Sequence, residues 1–519
     1  MKKNILATAL MAACILIIAS CKKNLLDKPP FGVQTDVSYF KTSDDLNKTL
    51  TAAYSYLNLQ GFPPFEATLW AIGDVGADDA NKAGGAAANQ PGIFDLSIAQ
   101  QKSSNNIISI YWSQLYAMIA TCNLVMDKQS VVTGDANEIK KIVNQAKFLR
   151  AWSYYSLVKY FGDVPMPLTY MDPANVNLQR TPKGAVWAQI EKDLTEASAL
   201  PTKTQWGAVN DGRATSGAAL ALLGKAYIFQ SKYTEAESAF KKVIEEGTYS
   251  LLPDYGAIFR KASGDNNNPE SIFDIKHKTK QGGATDGEGN FNYAFLMPSD
   301  PAGGGFGYNE PTQDLVNEFE KGDPRVIYSI MFRGDVFPNG TSTYTLSNAI
   351  ASASGRANRK FFVVPSERTA NSNFDEGKSN HIIRYAEVLL LYAEALNENG
   401  KAAEALTWLN KVRQRARSTP ANDPQRLSTA YDLSYTGTLL PDVTTTEKTA
   451  LRNAIWHEER VELAMEGLRR EYLVRAGKLA QRMAAAKNIA VFDEKLTLLP
   501  IPQSEIVATN GQIKQNDGY

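Results

Sequence analysis

The apolar residues of this chain recur mostly with the spacing of an α-helix. Helical patterning covers residues 104–129 and 136–161, and a further long amphipathic stretch covers 447–486. A first helix is predicted to begin near Ser43, because two aspartates follow directly and negative charge is favoured in a first helical turn. The pattern therefore predicts a mostly helical protein.

Two helical stretches also resemble one another. Residues 218–246 and 387–416 each space small and large side chains as the two helices of a tetratricopeptide repeat do. The small residues let two antiparallel helices approach closely, and the large ones fill the groove between them. Since the two matches are not adjacent in the sequence, they predict helix pairs separated by insertions rather than a regular solenoid. The residues that carry the matches are Leu223, Gly224, Tyr227, Ala236, Phe240 and Val243, and Leu389, Ala393, Leu396, Ala405, Leu409 and Val412.

The helical pattern is interrupted in two places. Residues 73–92 are rich in Gly, Ala, Asp and Asn, and are predicted to form a long loop. Residues 251–380 contain many Gly, Asn and Pro, with short strand-like pieces such as Ser271–Ile275. An irregular region of this length inside a helical protein is more often functional than accidental. A binding site is therefore expected there first.

The first residues of the chain form a pattern of their own. Lys2 and Lys3 precede an apolar run over residues 9–19, which is shorter than the roughly 20 residues that span a bilayer. This order predicts a secretory signal. The cysteine that follows the small residues, Cys21, resembles that of the bacterial lipobox, so it is predicted to carry acyl chains that tether the protein to a membrane. The alternative is a simple signal peptide followed by a chance cysteine.

Charge and cysteine content exclude several classes of function. The chain has 55 Lys and Arg against 55 Asp and Glu, which gives no electrostatic case for binding nucleic acid. With Cys14 in the signal and Cys21 lipidated, Cys122 stands alone, so a disulfide within the mature chain is excluded. Three scattered histidines form no zinc constellation. Cys122 is therefore predicted to be a small core residue.

The familiar catalytic motifs are missing from the sequence, which has no GxSxG, no HExxH and no P-loop. Glu458 and Glu459 are adjacent on a predicted helix, so they face different directions and cannot flank a glycosidic bond as acid and base. They are interpreted instead as salt-bridge partners of Arg460, Arg469 and Arg470. The chain is predicted not to be an enzyme, although distant carboxylates could still converge in the fold.

Two groups of residues in the irregular stretches could bind a ligand. Asp74, Asp78, Asp79 and Asn81 could hold a structural calcium ion or hydrogen-bond a polar ligand, but their spacing is not that of an EF-hand, and no metal site or cofactor is predicted. Aromatic rings in glycine-rich loops can stack on the apolar faces of sugars. The alternative is that these rings pack the loops onto the helices. The rings are Phe291, Tyr293, Phe295, Phe306, Tyr308, Phe332 and Phe337.

Several segments, in order, identify the family that the chain resembles. KFLRAWSYYSLVKYFGDVPMPLT (147–169), together with the lipobox and LLDKPP (25–30), resembles the SusD/RagB family of Bacteroidota outer-membrane lipoproteins. The resemblance covers essentially the whole mature chain. The other matching segments are GRATSGAALALLGKAYIFQSKY (212–233), PTQDLVNEFEKGDPR (311–325), RYAEVLLLYAEALNENG (384–400), ERVELAMEGLRREYL (459–473) and LLPIPQSEIVATNGQIKQNDGY (498–519).

The resemblance implies a mostly α-helical, SusD-like fold with about four TPR-like helix pairs, plus a loop-rich region with a few short strands. It also implies a non-catalytic lipoprotein, lipid-anchored at the outer membrane and facing the cell surface. Such a protein captures glycans or similar nutrients for a SusC-like TonB-dependent transporter. The expected regions are a signal peptide (1–20), a tether (21–40), an N-terminal helical region (41–250) and a C-terminal region (251–519) with ligand-binding loops (251–380) and returning helices (381–486).

The resemblance also suggests where a ligand is held. Family members draw contacts from a loop that corresponds to residues 73–82 and from the irregular middle region. Residues 71–111 and 251–380 contain no tryptophan, which counts against a long helical polysaccharide as the ligand. Residues of the FLRAW segment are expected to be structural. The expected ligand-binding residues are Asp74, Asp78, Asn81, Tyr293, Phe306 and Tyr308, and the expected structural ones are Arg150, Trp152, Tyr154 and Tyr155.

Replacing Cys21 with Ala is expected to release the protein into the soluble fraction while ligand binding stays intact, because the anchor and the binding region are separate parts of the chain. Fractionation of membranes followed by immunoblotting measures the release. Loss of binding in the released protein would contradict this division of roles.

Overall fold

The computed structural model describes residues 39–59, 63–83, 89–171, 178–207, 211–260, 268–278, 289–299, 304–347, 354–368, 377–489 and 497–519. The predicted signal, Cys21 and nearly all of the predicted tether lie outside these ranges. None of the helices in the described part of the chain combines the length and the apolar character needed to span a bilayer.

The two longest helices begin where the sequence supplies a cap. Asn105 accepts hydrogen bonds from the backbone N–H groups of Ile107 and Ile108, and Asp135 accepts one from Glu138. The predicted helices over 104–129 and 136–161 are confirmed. The α-helices are α1 Ser43–Ser55, α2 Phe65–Trp70, α3 Pro91–Ser97, α4 Asn106–Lys128, α5 Ala136–Phe161, α6 Lys183–Ala197, α7 Lys203–Trp206, α8 Ser216–Phe229, α9 Tyr233–Glu245, α10 Asn292–Leu296, α11 Gln313–Glu318, α12 Arg325–Ser329, α13 Tyr385–Glu398, α14 Ala402–Ser418, α15 Lys448–Glu462, α16 Arg469–Arg475, α17 Leu479–Lys487 and α18 Gln503–Ala508.

The helices pack in pairs, as the repeat pattern predicts. α1 packs on α4, α5 on α6, α8 on α9, and α13 on α14. α8 also contacts α6, and α13 contacts α9, so each pair adjoins the next. One continuous hydrophobic core runs from Phe40 to Ile513 and takes residues from both predicted regions, 41–250 and 251–519.

The described part of the chain contains four two-stranded antiparallel sheets, each with at least one strand from the irregular region. The predicted strand at Ser271–Ile275 is confirmed as β2, and it pairs with β8 (Asn380–Arg384), which leads directly into α13. The other strands are β1 Ala80–Asn81 with β3 Glu310–Pro311, β4 Ile330–Phe332 with β7 Arg356–Asn358, and β5 Val336–Asn339 with β6 Ser342–Thr345.

Buried charges join the irregular region to the returning helices. Arg384, at the end of β8, lies 2.6 Å from Glu270 and 3.3 Å from Glu462 of α15. Glu462 also pairs with Arg415 of α14 and, at 3.2 Å, with Arg325 of α12. Burial alone would raise the pKa of Glu462, but the surrounding arginines lower it to about 2. Since an unpaired buried charge is costly, these segments depend on one another for a folded structure.

The residues expected to be structural are buried. Arg150 of α5 lies 2.8 Å from Asp193 of α6 and donates to Asn123 of α4, so it ties three helices together. Trp152, Tyr154 and Tyr155 lie in the core, and Cys122 is fully buried, as predicted.

The amphipathic stretch 447–486 contains three helices, α15, α16 and α17. Met465 and Gly467 adopt positive φ between the first two, and Gly477 does so between the last two. One sequence prediction needs correction. Glu458 and Glu459 do form salt bridges, but with different arginines from those expected. Glu458 pairs with Arg325 and Arg413, and Glu459 pairs with Arg475.

The contact between α8 and α9 leaves no room for a side chain at Gly224. A Cβ at this position would lie 2.4 Å from a ring carbon of Phe240, which is fully buried. Gly224→Ala is therefore expected to lower the free energy of unfolding by about 1–3 kcal/mol, measured by urea denaturation.

Gly184→Ala is the matched control, since Gly184 is also helical and a Cβ there meets nothing within 4 Å. Because alanine favours the helix more than glycine does, the free energy of unfolding of this variant is expected to rise by up to about 1 kcal/mol. Equal stability of Gly224→Ala and wild type would contradict the close approach.

Candidate functional site

The stretch that contains the predicted acidic ligands is not the open loop that its composition predicts. α2 continues into a π-helical turn over Ala71–Val75, and residues 71–80 are buried. Gly73 packs on the backbone of Gly467, where an added Cβ would lie 1.8 Å from the carbonyl oxygen of Gly467. The prediction of a loop over 73–92 was therefore wrong for its first part, and α3 begins at Pro91.

Asp78 is fully buried and holds the C-terminal helices in place. Its carboxylate accepts hydrogen bonds from Arg469 at 2.7 and 3.0 Å and from Arg482 at 2.9 Å, and it lies 3.2 Å from Arg460. Burial alone would raise the pKa of Asp78, but these arginines hold it well below its usual range. The carboxylate is therefore charged, and it joins α15, α16 and α17 to the segment before β1.

Asp74 occupies a different electrostatic environment. It accepts hydrogen bonds from the backbone N–H of Gly467 at 2.9 Å and from the Asn309 side-chain amide at 3.2 Å. Burial, reinforced by the nearby charge of Asp79, raises the pKa of Asp74 to about 8. Asp74 is therefore protonated at neutral pH, and it links the segment 71–80 to the residue next to Tyr308.

Three of the predicted aromatic residues form a cluster. The rings of Phe306 and Tyr308 are stacked, with centroids 5.5 Å apart and an interplanar angle of 18°. Phe295 of α10 contacts both rings edge-on, with each centroid distance 5.5 Å. Tyr308 is buried at 5% exposure, whereas Phe306 is half-buried and presents part of its ring at the surface. We call Phe295, Phe306 and Tyr308 the aromatic cluster.

Backbone hydrogen bonds hold the segment that carries this cluster. The N–H of Phe306 donates to the carbonyl of Ala294 at 2.7 Å, and that of Tyr308 donates to Phe295 at 2.9 Å. Gly305 approaches Met297 so closely that a Cβ would lie 2.3 Å from its carbonyl oxygen, and Gly307 has φ +67°. Residues 305–308 are therefore fixed against α10.

The pairing of β1 with β3 brings the first polar stretch to the aromatic cluster. Asn81 is half-buried and lies opposite Glu310, two residues after Tyr308. Lys82 places its ammonium nitrogen 5.3 Å from the centroid of the Tyr308 ring. Lys82 was not among the predicted ligand-binding residues, although its position directly after Asn81 was a usable signal.

The structure thus brings together three of the six predicted ligand-binding residues, namely Asn81, Phe306 and Tyr308. Tyr293 lies elsewhere: it is 1% exposed, in a second hydrophobic cluster, with its ring centroid 5.4 Å from that of Phe361. Asp74 and Asp78 lie beneath the surface. For all six residues, direct contact with a ligand stays a prediction.

No group of metal-ligating side chains was found among the described residues. Asp78 and Asp79, which were considered for calcium, are directed at arginines: Asp79 lies 2.9 Å from Arg460. A cofactor-free protein stays an expectation.

Two family models match the chain. The model described as the SusD family matches residues 269–519, and the one described as starch-binding associating with outer membrane matches residues 77–228. Together they cover the aromatic cluster, β1 and the whole of two helix pairs, α5 with α6 and α13 with α14.

Known proteins and solved structures are similar over nearly the whole chain. SusD-like protein P2 of Formosa agariphila is 26% identical over 97% of this chain and 98% of its own. A structure of a laminarin binding SusD-like protein is 27% identical, with TM-score 0.74, over 92% of this chain and 100% of its own. Surface glycan-binding protein A from Bacteroides thetaiotaomicron in complex with laminarihexaose, at 20% identity and TM-score 0.72 over 92% of this chain and 100% of its own, shares the fold. These findings confirm the expected mostly helical SusD-like fold and a binding protein rather than an enzyme.

Because Asp74 binds a proton more tightly in the folded protein than in the unfolded chain, its contribution to stability decreases as the pH rises toward about 8. Asp74→Asn cannot titrate. The free energy of unfolding of Asp74→Asn relative to wild type is therefore expected to rise between about pH 5 and about pH 8, by up to about 1.4 kcal/mol per pH unit.

Urea denaturation at a series of pH values measures this difference. Asp517→Asn, which removes a carboxyl at an exposed position, is the control. A difference between Asp74→Asn and wild type that is independent of pH would contradict the proton assigned to Asp74.

Proposed function

Because this chain belongs to the SusD/RagB family, we propose that it is a cell-surface lipoprotein that captures a glycan or similar nutrient and delivers it to a SusC-like TonB-dependent transporter. It needs no catalytic group for this role. The site proposed for the ligand is the aromatic cluster together with Asn81 and Lys82.

The half-buried ring of Phe306 is the observation that carries the proposal. Sugars present apolar C–H faces, and an aromatic ring held in a fixed position can stack on such a face. Phe306 is held by the backbone bonds of its segment and by the stacked ring of Tyr308. Because the ring is ordered before binding, little conformational entropy is lost when a sugar stacks on it.

Polar groups beside the ring suit the hydroxyls of a sugar. The amide of Asn81 can both donate and accept hydrogen bonds, and the ammonium of Lys82 can donate. Both follow from the pairing of β1 with β3, which places them next to Tyr308. A small aromatic surface with a polar edge fits a short stretch of sugar units rather than a long helical polysaccharide.

The similar protein that is named for laminarin binding suggests which glycan to test first. We propose laminarin-type β-glucans as the first members of a test panel that also includes other neutral glycans. Binding to the members of this panel identifies the nutrient.

Delivery to a transporter at the outer membrane is proposed from two further observations. One is the lipobox-like sequence that ends at Cys21, and the other is the family description that names the outer membrane.

Copurification of the tagged, lipidated protein from outer membranes should retain a TonB-dependent transporter. Recovery of the tagged protein without any transporter would contradict the proposed partnership.

Phe306→Ala is expected to raise the dissociation constant of the bound glycan about tenfold, because the stacking surface is lost while the backbone of the segment is kept. Isothermal titration calorimetry of the purified mature chain with laminarihexaose and the rest of the panel measures this change.

Phe332→Ala is the matched control. Phe332 is also half-buried and is stacked on Tyr431, with centroids 4.7 Å apart, but it lies outside the aromatic cluster. Glycan binding that survives Phe306→Ala unchanged would refute the proposed site.

The same glycan panel also tests the class of function. Cleavage products would refute a binding role, and binding to peptides alone would favour a tetratricopeptide-type scaffold.

A further inference from the structure

A cavity lies between α15, α16 and α17, on elements other than those that carry the aromatic cluster. Its volume is about 180 Å³. It reaches the surface, since Asn453 on its wall is exposed and Trp456, Lys478 and Arg482 are half-buried. A cavity of this size accommodates about one sugar unit.

Trp456 gives this cavity an aromatic wall. The ammonium nitrogen of Lys478 lies 4.5 Å from the centroid of the Trp456 ring. The indole Nε1 of Trp456 is shielded from solvent and has no hydrogen-bond partner in the described part of the chain. Because Nε1 is out of reach of solvent, Trp456 meets a ligand in the cavity with its ring rather than with its N–H.

Among the described residues, some of the cations around the cavity have a carboxylate partner, and Lys478 does not. Arg475 is paired with Glu394 and Glu459, and Arg482 is paired with Asp78. Within the described ranges, no carboxylate lies within salt-bridge distance of Lys478, whose ammonium contacts the indole ring instead.

Two further groups on the cavity wall have their charges balanced by neighbours. Glu459 lies 3.2 Å from Arg475, so its carboxylate is paired within the wall. Burial lowers the pKa of His457, but hydrogen bonds to Glu318 and Glu320 outweigh it and raise that pKa to about 9. His457 is therefore a cation at neutral pH, and the carboxylates of Glu318 and Glu320 balance its charge.

We propose that this cavity binds a hexuronate unit, with its carboxylate at Lys478 and its ring against Trp456. A carboxylate supplies the partner that Lys478 lacks, and the C–H groups of the sugar pack against the indole ring. The choice of a sugar as the carrier of the carboxylate rests on the proposed function. Because the cavity and the aromatic cluster lie on different elements, Phe306→Ala leaves this binding unchanged.

Three small ligands test the contributions of the sugar ring and of the carboxylate separately. Glucuronate carries both ring and carboxylate, glucose carries the ring alone, and acetate carries the carboxylate alone. The mature chain is labelled with ¹⁵N at tryptophan, and the Nε1–H signal of Trp456 is identified by its loss in Trp456→Phe. Sodium glucuronate, glucose and sodium acetate are then titrated at constant ionic strength, since salt screens exposed charges.

Glucuronate is expected to shift the Trp456 signal with a dissociation constant about tenfold lower than that of glucose or acetate. Lys478→Met removes the charge and keeps an extended side chain, so it should bring the affinity for glucuronate down to that for glucose. Glucose binding should stay unchanged in this variant.

Lys411→Met is the matched control. The ammonium nitrogen of Lys411 lies 5.1 Å from the centroid of the Trp408 ring, a similar pair that does not line the cavity. This variant should bind glucuronate as wild type does. The proposal is overturned if glucuronate leaves the Trp456 signal unshifted, if glucose or acetate binds equally well, or if Lys478→Met retains the preference for glucuronate.

Discussion

Glu462 lies fully buried at the end of α15, and arginines from three separate parts of the chain surround its carboxylate. A buried carboxylate without cations would be too costly to keep ionised, and a buried arginine without a carboxylate would be equally so. The arginines therefore fix where β8, α12 and α14 lie relative to α15. Since α12 belongs to the irregular region, as does Glu270, which pairs with Arg384 and Arg415, detaching that region from the helices would expose buried charges on both parts. The arginines are Arg325, Arg384 and Arg415.

A second set of buried charges connects this core to the surface. Asp78 binds arginines of the C-terminal helices, and three residues further along the chain Asn81 pairs with Glu310 beside Tyr308. The acidic stretch thus helps to position the aromatic cluster. The place of Asn81 beside Tyr308 depends on buried ion pairs beneath it, which join residues nearly 400 positions apart in the sequence.

The helices could be predicted because their signals are local. Asp135 caps α5 and the apolar period continues to Phe161, so neighbours in sequence decide the structure. The segment 71–80 could not be predicted in this way, because Asp78 is buried by Arg469 and Arg482, which are far away in the sequence. The aromatic residues were equally ambiguous. Tyr293 and Phe295 are two positions apart on α10, yet they belong to different hydrophobic clusters.

The loop at 305–308 is held through its main chain rather than through its side chains. The N–H groups of Phe306 and Tyr308 make the bonds to α10, and every residue type except proline has such a group. The ring at position 306 can therefore be exchanged for another side chain without dismantling the loop that presents it. A scaffold built in this way lets the side chain at position 306 and the fold change independently, so heritable variation at this position is tolerated by the main chain that presents it.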